Sequence, residues 1–334
     1  MADFSTVLPF QAQAWAQVSA QYRTKRLAHA LLAGGMAGLG KRAFVWRLVA
    51  WALCHKPSAL HACGHCASCT LLHAGTHPNL RLLPSTSTGK QVSIKIDDVR
   101  ALHDFVYHTG DTRFIVLDHS ETMTVAAANA LLKMLEEPKD GVFFILISDN
   151  PVELLPTITS RVQRLPLSPL DLGQVSAFVA EQLALSQASS AVACQSQAML
   201  LLRLADFAPL QALALPKMPW FLYRKTWLQT FAVLQKGSRT VLQASDYWQS
   251  VLALADFLAL SQQMMGELWR YGLGLPPLHS DIAGVEIIAD IPLTMPQLSQ
   301  IDSRLYHIRL ALTQNVQDKL AYDTAISALG TPAL

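Results

Sequence analysis

The chain has 334 residues, of which 51% are hydrophobic and 15% are charged. A chain of this length and apolar content can bury two or three cores, which excludes wholesale disorder. The formal net charge of +2 is too small to indicate nucleic-acid binding by itself. The N-terminus lacks the pattern of a secretory signal, and the apolar stretches are interrupted by charges, so we expect a cytoplasmic protein without a membrane span.

The first half of the chain alternates strand-like and helix-like segments. Strands are predicted over 27–33, 92–96, 114–117 and 142–147, and helices over 41–53, 97–108 and 124–137. The run at 142–147 is continuously apolar, as is typical of a parallel strand covered on both faces. This alternation predicts a parallel α/β sheet.

The second half, from about residue 167, has apolar residues at helical spacing and no strand signals. Helices are predicted over 172–187, 190–206, 222–235, 240–264 and 298–330. The last of these has an apolar face formed by Leu305, Ile308, Leu310, Leu312, Leu320 and Ile326. That face packs either within the chain or against other subunits of an oligomer.

A glycine-rich stretch after the first predicted strand resembles a phosphate-binding loop. Gly35, Gly38, Gly40 and Lys41 fit the pattern G-x-x-x-x-G-K-[S/T], in which backbone N–H groups and the lysine hold phosphates. The final hydroxyl of the pattern binds Mg²⁺, and here that position is Arg42. A guanidinium cannot ligate a metal ion, so the loop lacks a group that nucleotide hydrolysis requires.

Asp118, at the end of the predicted strand 114–117, strengthens this interpretation. A carboxylate at this point positions Mg²⁺ in phosphate-loop proteins. The next residue is His119, where a hydrolysing protein would carry the glutamate that activates water. Efficient hydrolysis is therefore disfavoured. Two alternatives stay open: the loop retains residual nucleotide binding, or its glycines only form a tight strand–helix turn.

A cysteine cluster, Cys54, Cys63, Cys66 and Cys69, follows the glycine-rich loop. Four thiolates with two-residue gaps can surround one Zn²⁺ tetrahedrally, and disulfides are disfavoured in a cytoplasmic chain. We therefore predict a structural zinc site over an iron–sulfur cluster. The alternative ligands His55, His61, His65, His73 and His77 are not needed for a complete ligand set.

Ser160 and Arg161 end the segment LLPTITSR (154–161), which we name the Ser-Arg element. An arginine held by a proline-defined turn at a domain edge can reach across an interface and stabilise charge on a transferring phosphate. A surface salt bridge is the simpler alternative.

These segments resemble, in this order, the AAA+ clamp-loader subunits of bacterial DNA polymerase III. The resemblance is carried by RLAHALL (26–32), the glycine-rich loop, the cysteine cluster, AGTHP (74–78), ANALLKMLEEP (128–138) and TSR (159–161). The damaged loop beside an intact Ser-Arg pair is similar to the delta-prime branch of the family. The ATP-hydrolysing gamma/tau branch keeps the loop threonine and the acidic pair that Asp118-His119 has lost.

The resemblance implies an AAA+ domain over 1–166 with a zinc module at about 54–77, a helical lid over 167–208 and a helical collar over 209–334. It implies assembly with gamma/tau and delta subunits into a spiral that places a sliding clamp on primed DNA. Arg161 would be an arginine finger acting on the neighbouring ATP, Ser160 its motif partner, and the four cysteines zinc ligands. ATP binding by this chain itself stays open.

Three departures from the family pattern accompany the resemblance. Val162 stands where the family has a cysteine, Lys41 is retained, and no arginine matches the lid motif near 206–209. Two rival functions are an active ATPase of the gamma/tau type and a zinc-dependent DNA-binding module. The only basic residue between Cys54 and His77 is Lys56, which disfavours the second rival.

Overall fold

The structure, a computed structural model, describes residues 7–84, 93–107, 111–186, 191–311 and 317–330. The chain divides into two compact units. The first contains the residues up to Gln182 together with Ala208–Gln211, and the second contains Leu183–Phe207 and the chain from Ala212 onward. The finer division into domains of 1–166, 167–208 and 209–334 stays a prediction.

A five-stranded parallel sheet forms the centre of the first unit, in the order β2-β3-β4-β1-β5. Its strands are β1 (Ala30–Gly34), β2 (Leu80–Leu83), β3 (Arg113–Leu117), β4 (Val142–Ser148) and β5 (Gln163–Arg164). Because all strands are parallel, the glycine-rich loop, Asp118 and the end of β4 meet at one edge of the sheet. This sheet confirms the predicted α/β fold class.

Helices cover both faces of the sheet. In chain order, the helices up to Ser186 are α1 (Ala12–Arg23), α2 (Lys41–Leu53), α3 (Ala67–Ala74), α4 (Ile96–Arg100), α5 (His103–Tyr107), α6 (Val125–Glu136), α7 (Pro156–Thr159) and α8 (Leu172–Ser186). Successive strand residues point to opposite faces. Leu31 and Ile145 pack in one buried cluster with α1 and α2, whereas Leu32 and Leu146 pack in a second cluster with α4 to α7.

The predicted strand over 92–96 is wrong where the structure describes it. Residues 93–95 form no strand, and Ile96 begins α4; Val92 lies outside the described residues. The alternating apolar and polar residues of this segment have another cause. Ile94 is fully buried and the Ser93 hydroxyl donates to the Thr122 carbonyl, so these two contacts hold the segment before α4. The predicted helix 97–108 is divided into α4 and α5, and residue 108 lies outside the described residues.

The second unit contains helices and no strand among its described residues. Its helices are α9 (Ala191–Leu204), α10 (Pro209–Ala214, begun in the first unit), α11 (Arg224–Gln235), α12 (Val241–Val251), α13 (Leu254–Gly272), α14 (Gly284–Ile288), α15 (Met295–Ala311) and α16 (Asp318–Leu329). Trp227 and Trp248 lie fully buried, and their indole N–H groups donate to Ser261 and Thr230. These hydrogen bonds satisfy the polar atoms that burial would otherwise leave unpaired.

Two helix predictions in this unit are corrected by the structure. The helix predicted over 240–264 is broken at Leu252, whose backbone is extended, so that α12 and α13 are separate. The helix predicted over 298–330 corresponds to α15 and α16, with residues 312–316 outside the described part. Of its apolar face, Leu305, Ile308 and Ile326 are buried within the chain, whereas Leu310 and Leu320 are exposed.

Within the described ranges, no single helix has the length and apolarity to cross a membrane, and one bent helix pair passes that test only when taken together.

Candidate functional sites

The glycine-rich loop connects β1 to α2 and needs its glycines. Gly38 and Gly40 have φ values of 86° and 78°, in the left-handed region that side chains rarely adopt. A Cβ at Gly40 would lie 2.3 Å from Leu8 Cδ1, and one at Gly38 would lie 2.7 Å from the backbone nitrogen of Gln211. The loop is therefore packed closely by residues of its own unit.

Hydrogen bonds from other segments of the first unit also bind the carbonyl groups of the glycine-rich loop. Gln11 Nε2 donates to the carbonyls of Leu39 (3.0 Å) and Gly40 (3.1 Å), and the Leu210 N–H donates to the Gly38 carbonyl (3.0 Å). Lys41, which is buried, donates from Nζ to the carbonyls of Gly35 (2.5 Å) and Met36 (2.6 Å). The lysine that would hold a phosphate is thus bound to the loop itself.

Arg42 forms an ion pair with Asp118, the carboxylate that would position Mg²⁺ in a hydrolysing protein. Its Nε lies 2.9 Å from Asp118 Oδ2, and its Nη2 lies 2.8 Å from Oδ1 of the same carboxylate. Nη2 also lies 3.1 Å from Oδ2 of Asp149, the residue after β4, while Lys41 Nζ lies 2.6 Å from Asp149 Oδ1. Two cations and two carboxylates therefore form one compact network at the carboxyl ends of β3 and β4.

The residues of this network stabilise one another's charged forms, as the pKa directions of Arg42 and Asp149 indicate. Burial by itself would lower the pKa of Arg42, but hydrogen bonds and the charges of Asp118 and Asp149 raise it overall. Burial would likewise raise the pKa of Asp149, yet its hydrogen bonds to Lys41 and Arg42 lower it overall. The guanidinium therefore stays charged and paired at neutral pH.

His119, Glu121 and Asp149 form a second group with metal-ligand chemistry in the described part of the chain. His119 has a left-handed backbone, and Arg42 Nη2 lies 3.1 Å from its Nε2. Because the same guanidinium contacts both His119 and Asp149, its charge opposes a cation at this position.

The four cysteines of the cluster converge on one point. Cys54 and Cys63 lie in the segment after α2, Cys66 caps α3, and Cys69 lies within α3. All four Sγ atoms lie within 4.8 Å of one another, with 4.0 Å between Cys54 and Cys66 and 3.9 Å between Cys63 and Cys69. Tetrahedral zinc with Zn–S bonds of about 2.3 Å requires sulfur separations of about 3.8 Å, which this donor set matches.

Backbone N–H groups support the sulfurs of this cluster. Cys63 N and Lys56 N donate to Cys54 Sγ at 3.3 and 3.4 Å, and Cys66 N donates to Cys63 Sγ at 3.4 Å. Backbone N–H groups of Cys69 and His55 lower the pKa of Cys66 to about 6, whereas burial raises the pKa of Cys69 to about 12. The backbone N–H groups therefore stabilise the thiolate form of Cys66, the form that binds metals, whereas burial disfavours it at Cys69.

The histidines near the cluster have other contacts. His77 is buried between the Ser68 hydroxyl, 3.0 Å from Nε2, and the Asn79 N–H, 3.1 Å from Nδ1. His65 Nδ1 lies 2.7 Å from the Cys63 carbonyl, and His61 Nδ1 lies 3.0 Å from the Ala62 carbonyl. The group of converging ligand atoms therefore consists of cysteines alone among the described residues.

The Ser-Arg element includes α7. Ile158 within it and Val162, the residue that follows it, are buried, whereas Arg161 between them is exposed. Arg161 Nε and Nη2 lie 2.7 and 2.5 Å from one oxygen, Oε1 of Glu136, at the end of α6. Its Nη1 donates to the Thr157 carbonyl (3.0 Å) and contacts the Ser160 hydroxyl (3.3 Å). The surface salt bridge that was the simpler alternative is therefore present in the chain by itself, and the finger role of Arg161 stays a prediction.

The structure thus brings the sequence-predicted site residues together in three groups: the glycine-rich loop with Lys41 and Asp118, the cysteine cluster, and the Ser-Arg element. Sequence reasoning missed Asp149 and Glu136. Asp149 directly follows an apolar strand, which is the same signal that identified Asp118. Glu136 has no comparable signal, because its role depends on the packing of α6 beside α7.

Several of the known proteins that this chain matches are delta′ subunits of DNA polymerase III. A family model described as DNA polymerase III, delta subunit, matches residues 10–171. The delta′ subunit of DNA polymerase III from Yersinia pestis is 32% identical over 93% of this chain and 94% of its own. The delta′ subunit from Pseudomonas aeruginosa is 44% identical over 164 residues, about half of each protein (48%).

Among solved structures, a DNA polymerase III gamma subunit-related protein from Thermotoga maritima matches 94% of this chain and 98% of its own, at 17% identity and a TM-score of 0.45. The near full-length match to the Yersinia protein decides the family. The chain belongs to the delta′ family of DNA polymerase III subunits, which are proteins of DNA replication.

Proposed function

We propose that this chain is a non-hydrolysing clamp-loader subunit that supplies Arg161 to the ATP site of an adjacent gamma/tau subunit. The observation that carries this proposal is the pairing of Arg42 with both oxygens of Asp118. Hydrolysis requires Mg²⁺ between the nucleotide and groups of the loop and strand end. Here a guanidinium takes the loop hydroxyl position and binds the carboxylate, so the site supports no metal-dependent chemistry of its own.

A chain without its own hydrolysis can still promote hydrolysis by a neighbour. Arg161 is exposed on the surface of the first unit, and its contacts are with α6 and α7 rather than with the glycine-rich loop. An arginine supplied from an adjacent subunit stabilises the charge on the transferring phosphate and contributes about 10³–10⁵ in rate. The same proposal includes a delta subunit, the sliding clamp and primed DNA as direct or indirect partners, in the cytoplasm.

The reconstituted complex with gamma/tau and delta subunits tests this role. Arg161→Ala should reduce clamp-dependent ATP hydrolysis at one site while the complex still assembles, as judged by size-exclusion chromatography. Arg164→Ala, an exposed arginine three residues later, is the matched control and should retain wild-type hydrolysis. Unchanged hydrolysis in the Arg161→Ala complex would reject the proposal.

The cysteine cluster supports a structural zinc ion as part of the same proposal. Cys54, Cys63, Cys66 and Cys69 would hold the ion, and their four thiolates complete its usual coordination without an open position. A closed ligand set stabilises a small module and leaves no position for substrate. We therefore assign the zinc a folding role in the segment between α2 and the end of α3.

A further inference from the structure

We propose that Glu136 is an intramolecular competitor for Arg161, which holds the finger on its own chain until the phosphates of the neighbouring ATP displace it. This inference rests on the proposed function of Arg161. It adds a regulatory contact to the Ser-Arg element and predicts that removing the Glu136 charge makes the finger more available.

The contacts of the guanidinium are the first argument. Glu136 Oε1 accepts from both Nε and Nη2, and the Thr157 carbonyl accepts from Nη1. Nη1 also contacts the Ser160 hydroxyl at 3.3 Å, so these contacts together use four of the five N–H donors of the guanidinium. A phosphate that is to be bound by two N–H groups must therefore replace at least one of these contacts.

The position of Glu136 is the second argument. It is the last residue of α6, where the helix dipole is negative and where a carboxylate is unfavourable. The positive charge of Arg161 compensates for this while the pair is intact. When Arg161 leaves, Glu136 is exposed to that dipole without its partner, so the displacement has a free-energy cost that a glutamine would not incur.

The exposure of the pair is the third argument. The side chains of Arg161 and Glu136 are 36% and 49% exposed, so solvent screens their attraction. Pairs of this kind contribute little to stability and are exchangeable. A nucleotide phosphate carries more negative charge than one carboxylate and can therefore displace Glu136 as the partner of the guanidinium.

Single-turnover ATP hydrolysis by the reconstituted complex tests the inference. Glu136→Gln should raise the rate about two- to fivefold, the factor that corresponds to losing an exposed ion pair. Glu137→Gln, which changes the adjacent exposed glutamate, should leave the rate unchanged. In an Arg161→Ala background, Glu136→Gln should have no effect, because its action requires the arginine.

The outcomes separate the two proposals. If Arg161→Ala lowers the rate of hydrolysis, the finger role is supported. If in that case Glu136→Gln also lowers the rate, or gives the same rate as Glu137→Gln, the competitor role of Glu136 is overturned. If Arg161→Ala itself leaves hydrolysis unchanged, the proposed function fails, and the competitor role with it.

A readout on the isolated chain checks the ion pair without any partner. The Arg161 Nε–H signal in NMR should exchange with water faster in Glu136→Gln than in wild type, and Glu137→Gln should match wild type. Equal exchange in all three proteins would show that Glu136 does not hold the guanidinium, and would overturn the inference. Far-UV circular dichroism verifies that each variant is folded.

Discussion

At the scale of single residues, Arg42 determines the chemistry of the glycine-rich loop. Its guanidinium pairs with the carboxylates of both Asp118 and Asp149 at the ends of β3 and β4, and Lys41 supplies the second positive charge of the network. Both cations of the loop, Lys41 and Arg42, are therefore paired with carboxylates of the same chain. Arg42, which cannot bind a metal ion, therefore has a structural role at the carboxyl ends of β3 and β4.

Arg42→Ala should destabilise the folded chain, because it leaves Asp118 and Asp149 with Lys41 as the remaining cation of the network. We expect the free energy of unfolding to fall by about 1–2 kcal/mol, as is typical when one member of a partly buried charge network is removed. Urea denaturation at pH 7 measures this. Arg100→Ala, which removes an exposed pair with Asp97, should change it by less than about 0.5 kcal/mol.

The Arg42 effect should also depend on pH. The pKa of Asp149 is lowered in the folded chain, so its paired carboxylate stabilises the fold above the unfolded pKa. That stabilisation is lost as the pH falls through the lowered folded value. The difference between wild type and Arg42→Ala should therefore shrink below about pH 4. A difference that stays constant down to pH 3 would contradict this assignment.

His279 in the second unit provides an independent pH prediction. It is buried beside Arg224, whose Nη1 lies 3.1 Å from its Nδ1, and Glu267 accepts from its backbone N–H. Burial first, and the Arg224 charge second, lower the pKa of His279 to about 4, although Asp281 opposes the shift. Folding therefore favours the neutral ring.

The sign of this effect follows from linkage. Between about pH 6.5 and pH 4 the unfolded chain binds a proton at His279 that the folded chain does not, so stability falls as the pH falls. The loss should reach about 3 kcal/mol by pH 4. His279→Asn should flatten this part of the stability profile, whereas His103→Gln at an exposed position should not. Parallel profiles for all three proteins would refute the assignment.

At the scale of elements, the cysteine cluster organises a segment that has little regular structure besides α3. The segment is exposed from residue 55 to 61, so its apolar contacts are few. A metal ion bound to four converging sulfurs would supply the cohesion that packing does not.

Cys66→Ser should therefore remove the bound zinc and lower the melting temperature of the chain. The serine hydroxyl is a poor zinc ligand and leaves three thiolates. Zinc content by plasma mass spectrometry should fall from about one per chain to near zero, as should that of a chelator-treated wild type. Cys194→Ser, in the buried interior of α9, is the control and should keep its zinc. Retention of one zinc by Cys66→Ser would contradict the ligand assignment.

The sequence predicted several elements well and others poorly, for identifiable reasons. The helix at 41–53 and the strands at β3 and β4 were found because their apolar patterns are long and continuous. β2 was missed because it has four residues and Leu82 is partly exposed. The break between α12 and α13 has no glycine or proline, so only tertiary packing around Leu252 explains it.

Residue roles that depend on tertiary neighbours were also beyond the sequence. The spacing of the four cysteines is local, and it predicted a cluster that the structure confirms geometrically. The pairing of Arg42 with Asp118 joins residues that lie 76 positions apart, and that of Arg161 with Glu136 joins the turn after α7 to the end of α6. Such contacts appear only when the fold brings the elements together.

At the scale of the whole molecule, the second unit retains exposed leucines on otherwise well-packed helices. Leu310 and Leu320 are 45% and 62% exposed, as are the adjacent residues Arg309 and Lys319, whereas Leu305 and Ile326 on the same helices are buried. A collar that joins subunits would cover such residues. We therefore expect this surface to be buried in the complex.

Leu320→Asp should weaken incorporation of this chain into the complex by about tenfold or more, since a charge at an apolar contact costs at least about 1.4 kcal/mol. The melting temperature of the isolated chain should stay within about 1 °C, because the position is exposed. Leu185→Asp, at an exposed leucine of α8, serves as the comparison. Incorporation is measured by co-purification with gamma/tau and delta. Equal incorporation of both variants would show that the surface around Leu320 takes no part in assembly.

The central claim is that the chain does not hydrolyse ATP and that its own loop is closed. ATP turnover by the purified chain alone, measured with Mg²⁺ for wild type and Lys41→Ala, tests this most directly. We predict that both proteins show only background release of phosphate, because Lys41 and Arg42 are bound to the loop carbonyls and to Asp118 and Asp149. Steady turnover by the wild type that disappears in Lys41→Ala would contradict the account.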